Sequence, residues 1–141
     1  MKPGDTIVGT VRPGNGSYAL IDEKGMTGST GFAVLRPKHP KFCEFVYLAA
    51  TSPENIERLA QLADGGAYPA VRPDVVGATE VTGFSQKVVE AFTGAVGPLI
   101  NRMQASKHES RTLATLRDTL LPKLISGELR IADAEQRIAA A

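Results

Sequence analysis

Apolar and polar positions along this chain change rhythm twice, and each change marks a different kind of element. Asp5-Thr-Ile-Val-Gly-Thr-Val11 is a β-branched run bounded by Pro3-Gly4 and Pro13-Gly14, which predicts a strand. Pro13-Gly14-Asn15-Gly16 has turn chemistry, because Gly and Asn accept positive φ, so Ser17–Ile21 can return as the second strand of a hairpin. Residues 22–28 read as a loop, and Gly31-Phe-Ala-Val-Leu-Arg36 as a third strand stopped by Pro37. Pro37-Lys-His-Pro40 is a rigid, non-helical connection. Apolar residues then crowd positions 42, 45, 46, 48 and 49, dense enough for a buried helix over 42–50. Ser52-Pro53-Glu54 reads as an N-cap, a first-turn Pro and an acidic first turn, opening a helix that keeps its spacing through Ile56, Leu59, Ala60 and Ala63. Gly65-Gly66 ends it. Residues 67–71 read as a loop with an extended segment, and 74–82 as leading into a short strand. Phe32, Phe42, Phe45 and Leu48 are the expected core.

Past residue 84 the pattern is helical throughout. Val89, Phe92, Val96, Leu99 and Met103, then Leu113, Leu116, Leu120 and Leu124, follow the three-and-four alternation of a coiled-coil seam, with Ser106, Ser110 and Arg117 as its weak positions. Pro98 falls inside this pattern and predicts a kink or a restart, while Pro122 and Gly127 mark its far end. A helix over 84–122, ~55 Å long at ~1.5 Å per residue, has more apolar stripe than a small neighbouring domain covers, so a partner is expected. The fold class is α+β: a small, mostly antiparallel sheet with two packed helices over 1–82, a long protruding coiled-coil-like helix within 83–130, and a tail over 131–141.

Composition narrows the function classes. The 141 residues are 43% hydrophobic and 22% charged, ordinary for a globular chain. One cysteine, Cys43, excludes an intramolecular disulfide and a Cys-rich metal site. No apolar stretch approaches the length of a membrane span and no leader opens the chain, so a cytoplasmic, non-membrane protein is expected. Sixteen Lys/Arg against fifteen Asp/Glu give +1, with neither half a polycation. Contact with a nucleic acid would therefore rest on local clusters.

A search for catalysis finds little. His39 and His108 lack metal-ligand spacing to each other or to Cys43. Cys43, between Phe42 and Phe45, reads as a small core residue. Ser17, Ser29 and Thr30 have no assignable base, and no glycine loop has phosphate-binding spacing. No enzyme, cofactor or metal is expected. The loops offer more. Arg12, Asn15, Ser17 and Tyr18 flank the hairpin tip, where an Arg could pair with guanine and an Asn with adenine. Arg36, Lys38 and Lys41 suit phosphate oxygens, and Tyr68 and Arg72 border the glycine loop. Taken singly, each also reads as a turn former or a solvated charge.

The ordered segments resemble the DNA-specificity subunit of type I restriction–modification systems. Thr10-Val-Arg-Pro-Gly-Asn-Gly16 with Tyr18-Ala-Leu, then Ser29-Thr-Gly-Phe-Ala-Val-Leu-Arg-Pro37, are similar to its target-recognition domain. Gly66-Ala-Tyr-Pro-Ala-Val71 is similar to the glycine loop after two helices in that domain. The stretch Leu113-Ala-Thr-Leu-Arg-Asp-Thr-Leu-Leu-Pro-Lys-Leu-Ile-Ser-Gly-Glu128 resembles the end of the family's long spacer helix, and the set covers roughly residues 4–130. The resemblance implies a non-catalytic component that binds double-stranded DNA and a methyltransferase (modification) subunit, with methylation and cleavage residing in partner subunits. One domain and one helix amount to half of the family's subunit, and by resemblance the chain starts within the domain; the helix opens on Gly83-Phe-Ser-Gln86 rather than the family's Pro-rich, Glu-Gln start. A homodimer pairing through antiparallel helices would restore two recognition domains. The alternatives are a helix-mediated assembly module or a truncated remnant without DNA reading and, from a third class, a hydrolase or transferase fragment.

Overall fold

The computed structural model describes residues 1–81 and 83–131. The expected tail over 131–141 therefore lies, from residue 132 onward, outside the described residues. The order of elements is β1 (Thr6–Gly9), β2 (Tyr18–Leu20), β3 (Phe32–Leu35), α1 (Cys43–Thr51), α2 (Pro53–Leu62), α3 (Pro73–Gly77) and α4 (Gln86–Ile125). This is an α+β chain with a three-stranded antiparallel sheet and a long final helix.

The central strand is β1, in the order β2-β1-β3, with Val8 opposite both Tyr18 and Ala33, and Thr6 opposite Leu20 and Leu35. Alternation along β1 sends Thr6 and Val8 to one face and Ile7 to the other. The first face is the covered one. Val8 and Ala33 meet Ala50 of α1, Leu59 of α2, Val76 of α3 and Val71, two residues before α3, in a continuous core, with Leu35, Ile56, Ala63 and Val75 packed around it. Burying each such aliphatic side chain contributes ~1.5–3 kcal/mol. Small aliphatics, not the expected aromatics, fill this core. Phe32, Phe42 and Phe45 are only partly buried and Leu48 is exposed; Phe45 instead packs edge-to-face with Phe84 and Phe92 beside this core.

Local chemistry explains the helices. Ser52 is extended and its side chain accepts the Asn55 amide at 3.2 Å, while Pro53 occupies the first turn of α2, as the sequence predicts. The short strand expected within 74–82 is a correction: residues 73–77 form α3, and the described residues after it, 78–81, include no strand. Pro73 in the first turn and Asp74 beside it start a helix that the β-branched pair Val75-Val76 does not prevent. Buried Asn55 ties α2 to its neighbours. Its Nδ2 donates to the Ala50 carbonyl at 2.8 Å, and its Oδ1 accepts from Arg58 Nε at 3.0 Å and from the Thr79 hydroxyl at 3.3 Å.

The chain divides into two units, Met1–Ile100 and Asn101–Ala141, and α4 contributes to both. Within the first unit, Val89, Gly97 and Ile100 are buried and Phe92 and Val96 partly so. Phe45 meets Phe84 and Phe92 edge-to-face at 5.7 and 6.0 Å, Lys41 Nζ donates to Glu90 at 2.9 Å, and the Thr93 hydroxyl donates to the Lys41 carbonyl. The first half of the expected partner-facing seam is thus used inside the unit. Ile100 takes the inward position, and Leu99 is 67% exposed, because 3.6 residues per turn drift off a strict seven-residue repeat. The helical run continues through Pro98 rather than restarting there.

The second unit has its own logic. The hydroxyls of Thr112, Thr115 and Thr119 donate to carbonyls four residues back, so these β-branched polar residues leave no bare donor on the helix. Met103, Leu113, Leu116, Leu120 and Leu124 are all exposed. Gly127 at φ +74 closes the helix as a left-handed cap, its amide donating to the Leu124 carbonyl at 3.2 Å, and the Leu129 amide donates to the Lys123 carbonyl at 3.0 Å. No described helix is long and apolar enough to cross a membrane.

Candidate nucleic-acid interface

β1 leads directly into the hairpin tip. Gly9 donates to the Ser17 carbonyl at 2.7 Å, and a Cβ on Gly9 would stand 3.1 Å from Ser17, so the two arms meet closely there. The tip itself is a single 3-10 turn over Pro13–Asn15 with Gly16 left-handed at φ 65 after it. The unexpected feature is Arg12. It sits at φ 46, ψ 58, the sole non-glycine residue with positive φ among the described residues. That conformation costs an L-residue ~1–2 kcal/mol. Three contacts offset it: the Arg12 amide donates to the Pro69 carbonyl at 2.7 Å, its carbonyl accepts the Asn15 amide at 2.9 Å, and its Nη2 donates to the Ala67 carbonyl at 2.8 Å. Each is worth ~0.5–1.5 kcal/mol.

Pro69 and Ala67 belong to the glycine loop. Asp64 and Ala70 bridge its neck, Val11 pairs with Ala70, and the Tyr68 amide donates to the Gly65 carbonyl. Gly65 at φ +114 makes the reversal, and a Cβ there would press the Tyr68 carbonyl at 3.3 Å. The loop holds up Tyr68, 72% exposed, and the Arg12 guanidinium lies 4.8 Å from its ring centroid. At an exposed site this cation–π contact adds ~0.5–1 kcal/mol. Two loops joined by a contact 55 residues apart in sequence thus build one surface carrying Arg12, Asn15 and Tyr68.

The remaining candidates divide. Ser17 lies at the base of the tip, and Tyr18 opens β2, 41% exposed and edge-on to Tyr47 of α1 at 6.4 Å. Burial, with Tyr18 adding to it, pushes the Tyr47 phenol up and keeps it neutral. Arg72 follows the glycine loop and pairs with Asp74 at 3.0 Å, both well exposed.

Arg36, Lys38 and Lys41 are at the other end of the sheet. Antiparallel pairing sets Phe32 beside Gly9 and Leu35 beside Thr6, so the chain leaves β3 next to Asp5, six residues of extended chain (~20 Å) from Val11. Arg36 forks onto Asp5, Nε to Oδ1 and Nη2 to Oδ2, both at 2.7 Å, and the Lys2 amide adds a bond at 2.8 Å. The Asp5 side chain is 2% exposed. The Arg36 pairing holds its carboxyl below the ordinary range against the opposing effect of burial. Arg36 is a structural ion-pair partner first, and Lys41 is paired with Glu90. Among the described residues, Arg12 and Lys38 have no carboxylate partner. Cys43 packs against Gly4, and burial with the Glu44 and Asp5 charges pushes its thiol up, away from the nucleophilic form. His39 caps the 3-10 turn over Pro40–Phe42, its Nδ1 accepting the Lys41 amide.

Sequence reasoning missed the carbonyls of Ala67 and Pro69 that hold Arg12. No side-chain pattern announces a backbone acceptor; only the closeness of two glycine-rich loops could have hinted at it.

No protein-family model matches the chain, and no solved structure matches it. Over 94 residues, 66% of its length, it is 29% identical to the type I restriction enzyme HindI specificity subunit of Haemophilus influenzae. The chain spans about a fifth of the length of that relative, of which the matched region covers 20%. It is therefore similar, at low identity, to part of a type I restriction enzyme specificity subunit.

Proposed function

We propose that this chain is a non-catalytic DNA target-recognition component of a type I restriction–modification system, half-sized, cytoplasmic and paired with a second copy through its long helix. Recognition would belong to residues 1–82 and assembly to 83–130, with a methyltransferase subunit as the further partner. The observation that carries this reading is the joined pair of loops, which holds a cationic fork and an exposed ring on one surface. Arg12, Asn15, Tyr68, Ser17, Tyr18 and Arg72 are its DNA-facing set; of the basic group, Lys38 is the member available for a phosphate. Two copies joined by an isologous helix contact would read a two-fold symmetric site. The stripe of Met103, Leu113, Leu116, Leu120 and Leu124 would serve that contact.

Fluorescence anisotropy on duplex pools, with and without the methyltransferase subunit, tests the reading. Sequence-dependent binding is expected, with a shallow salt slope, on the order of −2, because few cations are available to displace counterions. Binding without sequence preference in either case would sink it.

A second reading is favoured by the pairing of Arg36, Lys41 and Arg72 with carboxylates, which leaves little positive charge for a duplex. On it the chain is a helix-mediated assembly module that does not read DNA. Charge reversals R12E and K38E separate the two: unchanged DNA affinity supports assembly alone, and a measurable loss supports recognition.

A further inference from the structure

We propose that Arg12 is a guanine-reading residue, set in advance by its left-handed backbone and by Tyr68; this rests on the DNA-recognition reading above. The geometry restricts the guanidinium on two sides. One Nη2 hydrogen is committed to the Ala67 carbonyl and one face lies toward the Tyr68 ring. The Nη1 edge and the second Nη2 hydrogen remain, a planar pair of donors with no acceptor between them. On the major-groove edge of a duplex, guanine alone presents two adjacent acceptors, N7 and O6; adenine places a donor beside its N7. A fixed donor fork therefore fits one base and meets a like group on the other. Rigidity is what makes the fork selective, since a mobile arginine would serve any phosphate. Here the backbone amide and the side chain are both tied to the glycine loop, by Pro69 and Ala67. The left-handed strain at Arg12 has a reading in the same terms. Glycine would relieve it, but glycine carries no fork.

The test is selection of duplexes with a randomised centre by the unaltered chain, by R12K and by R12G, with thermal melting of all three. R12G should still melt cooperatively and close to the parent, because glycine accepts φ 46 without strain, which offsets the loss of the Ala67 bond and the Tyr68 contact. R12K keeps the charge and loses the planar fork. The expected result is that the unaltered chain enriches a G·C pair at one position, that R12K and R12G lose preference there while keeping the rest of the motif, and that 7-deazaguanine at that position weakens the unaltered chain by roughly 5- to 150-fold. An unchanged motif in R12K or R12G, with affinity uniformly lower or unaltered, would overturn the inference and leave DNA recognition standing, with Arg12 a phosphate contact or a structural residue. No enriched motif in the unaltered chain would overturn both.

Discussion

Two arginines with the same charge have opposite assignments in this fold, and their surroundings decide which is which. Arg36 sits at the end of β3, where Asp5 is buried and has both carboxylate oxygens occupied. Arg12 sits three residues past β1, at the start of the hairpin tip, held by carbonyls and a ring, with no acid to neutralise it. The Asp5 pairing has a pH signature. Its carboxyl is depressed below the ordinary 3.8, so the stability it supplies is present in full above that value and is lost as the pH falls through the lower folded value. Asp5→Asn should lower stability near neutrality by ~1–3 kcal/mol, through the lost charge-assisted bonds, and should flatten the acid limb of a urea-midpoint profile below about pH 4. An Asn variant with the same acid limb as the parent would place the titrating group elsewhere. The Arg36 contact joins residues 31 apart, which is why the sequence reads Arg36 as an available cation. Arg12 was hidden differently. The proline after it disfavours helical conformations at Arg12 itself, so sequence directs positive φ to Gly14, Asn15 or Gly16; Gly16 takes it at φ 65, and Arg12 does so as well.

At the scale of elements, what the sequence made legible was punctuation. Pro-Gly pairs around a β-branched run located β1, the Gly-Asn-Gly turn located β2, Gly31 and Pro37 bounded β3, and Ser52-Pro53-Glu54 located the start of α2. Replacing Ser52 with Ala removes the acceptor for the Asn55 amide and should cost ~1 kcal/mol, seen as a melting temperature ~4–8 °C lower for a unit of this size. An unchanged melting temperature would mean that Pro53 alone defines the helix start. α3 was not legible, because five residues carrying two valines look extended until tertiary packing buries Val76. The α4 stripe was legible as a period but not as an assignment. Its first half is satisfied by Phe45 and the rest of the first unit, a contact that no spacing rule reveals.

For the whole molecule, the proposed function asks a nearly neutral chain to meet a polyanion. Net charge of +1 gives little long-range attraction, so on that proposal recognition would have to come from a few ordered groups, multiplied by the proposed pairing. Leu113 is 59% exposed and Leu120 41% exposed. Exchanging both for Glu should abolish self-association, and sedimentation velocity should then report a monomer where the parent is a dimer. A parent already monomeric would remove pairing from the proposal and leave the single recognition unit.

The most direct measurement is a backbone amide NMR titration of the 15N-labelled full chain with a mixed-sequence duplex. Shifts concentrated at residues 10–18 and 64–72 are the expected result. Shifts confined to residues 36–41, or an unchanged spectrum, would contradict the assignment of the joined loops to DNA.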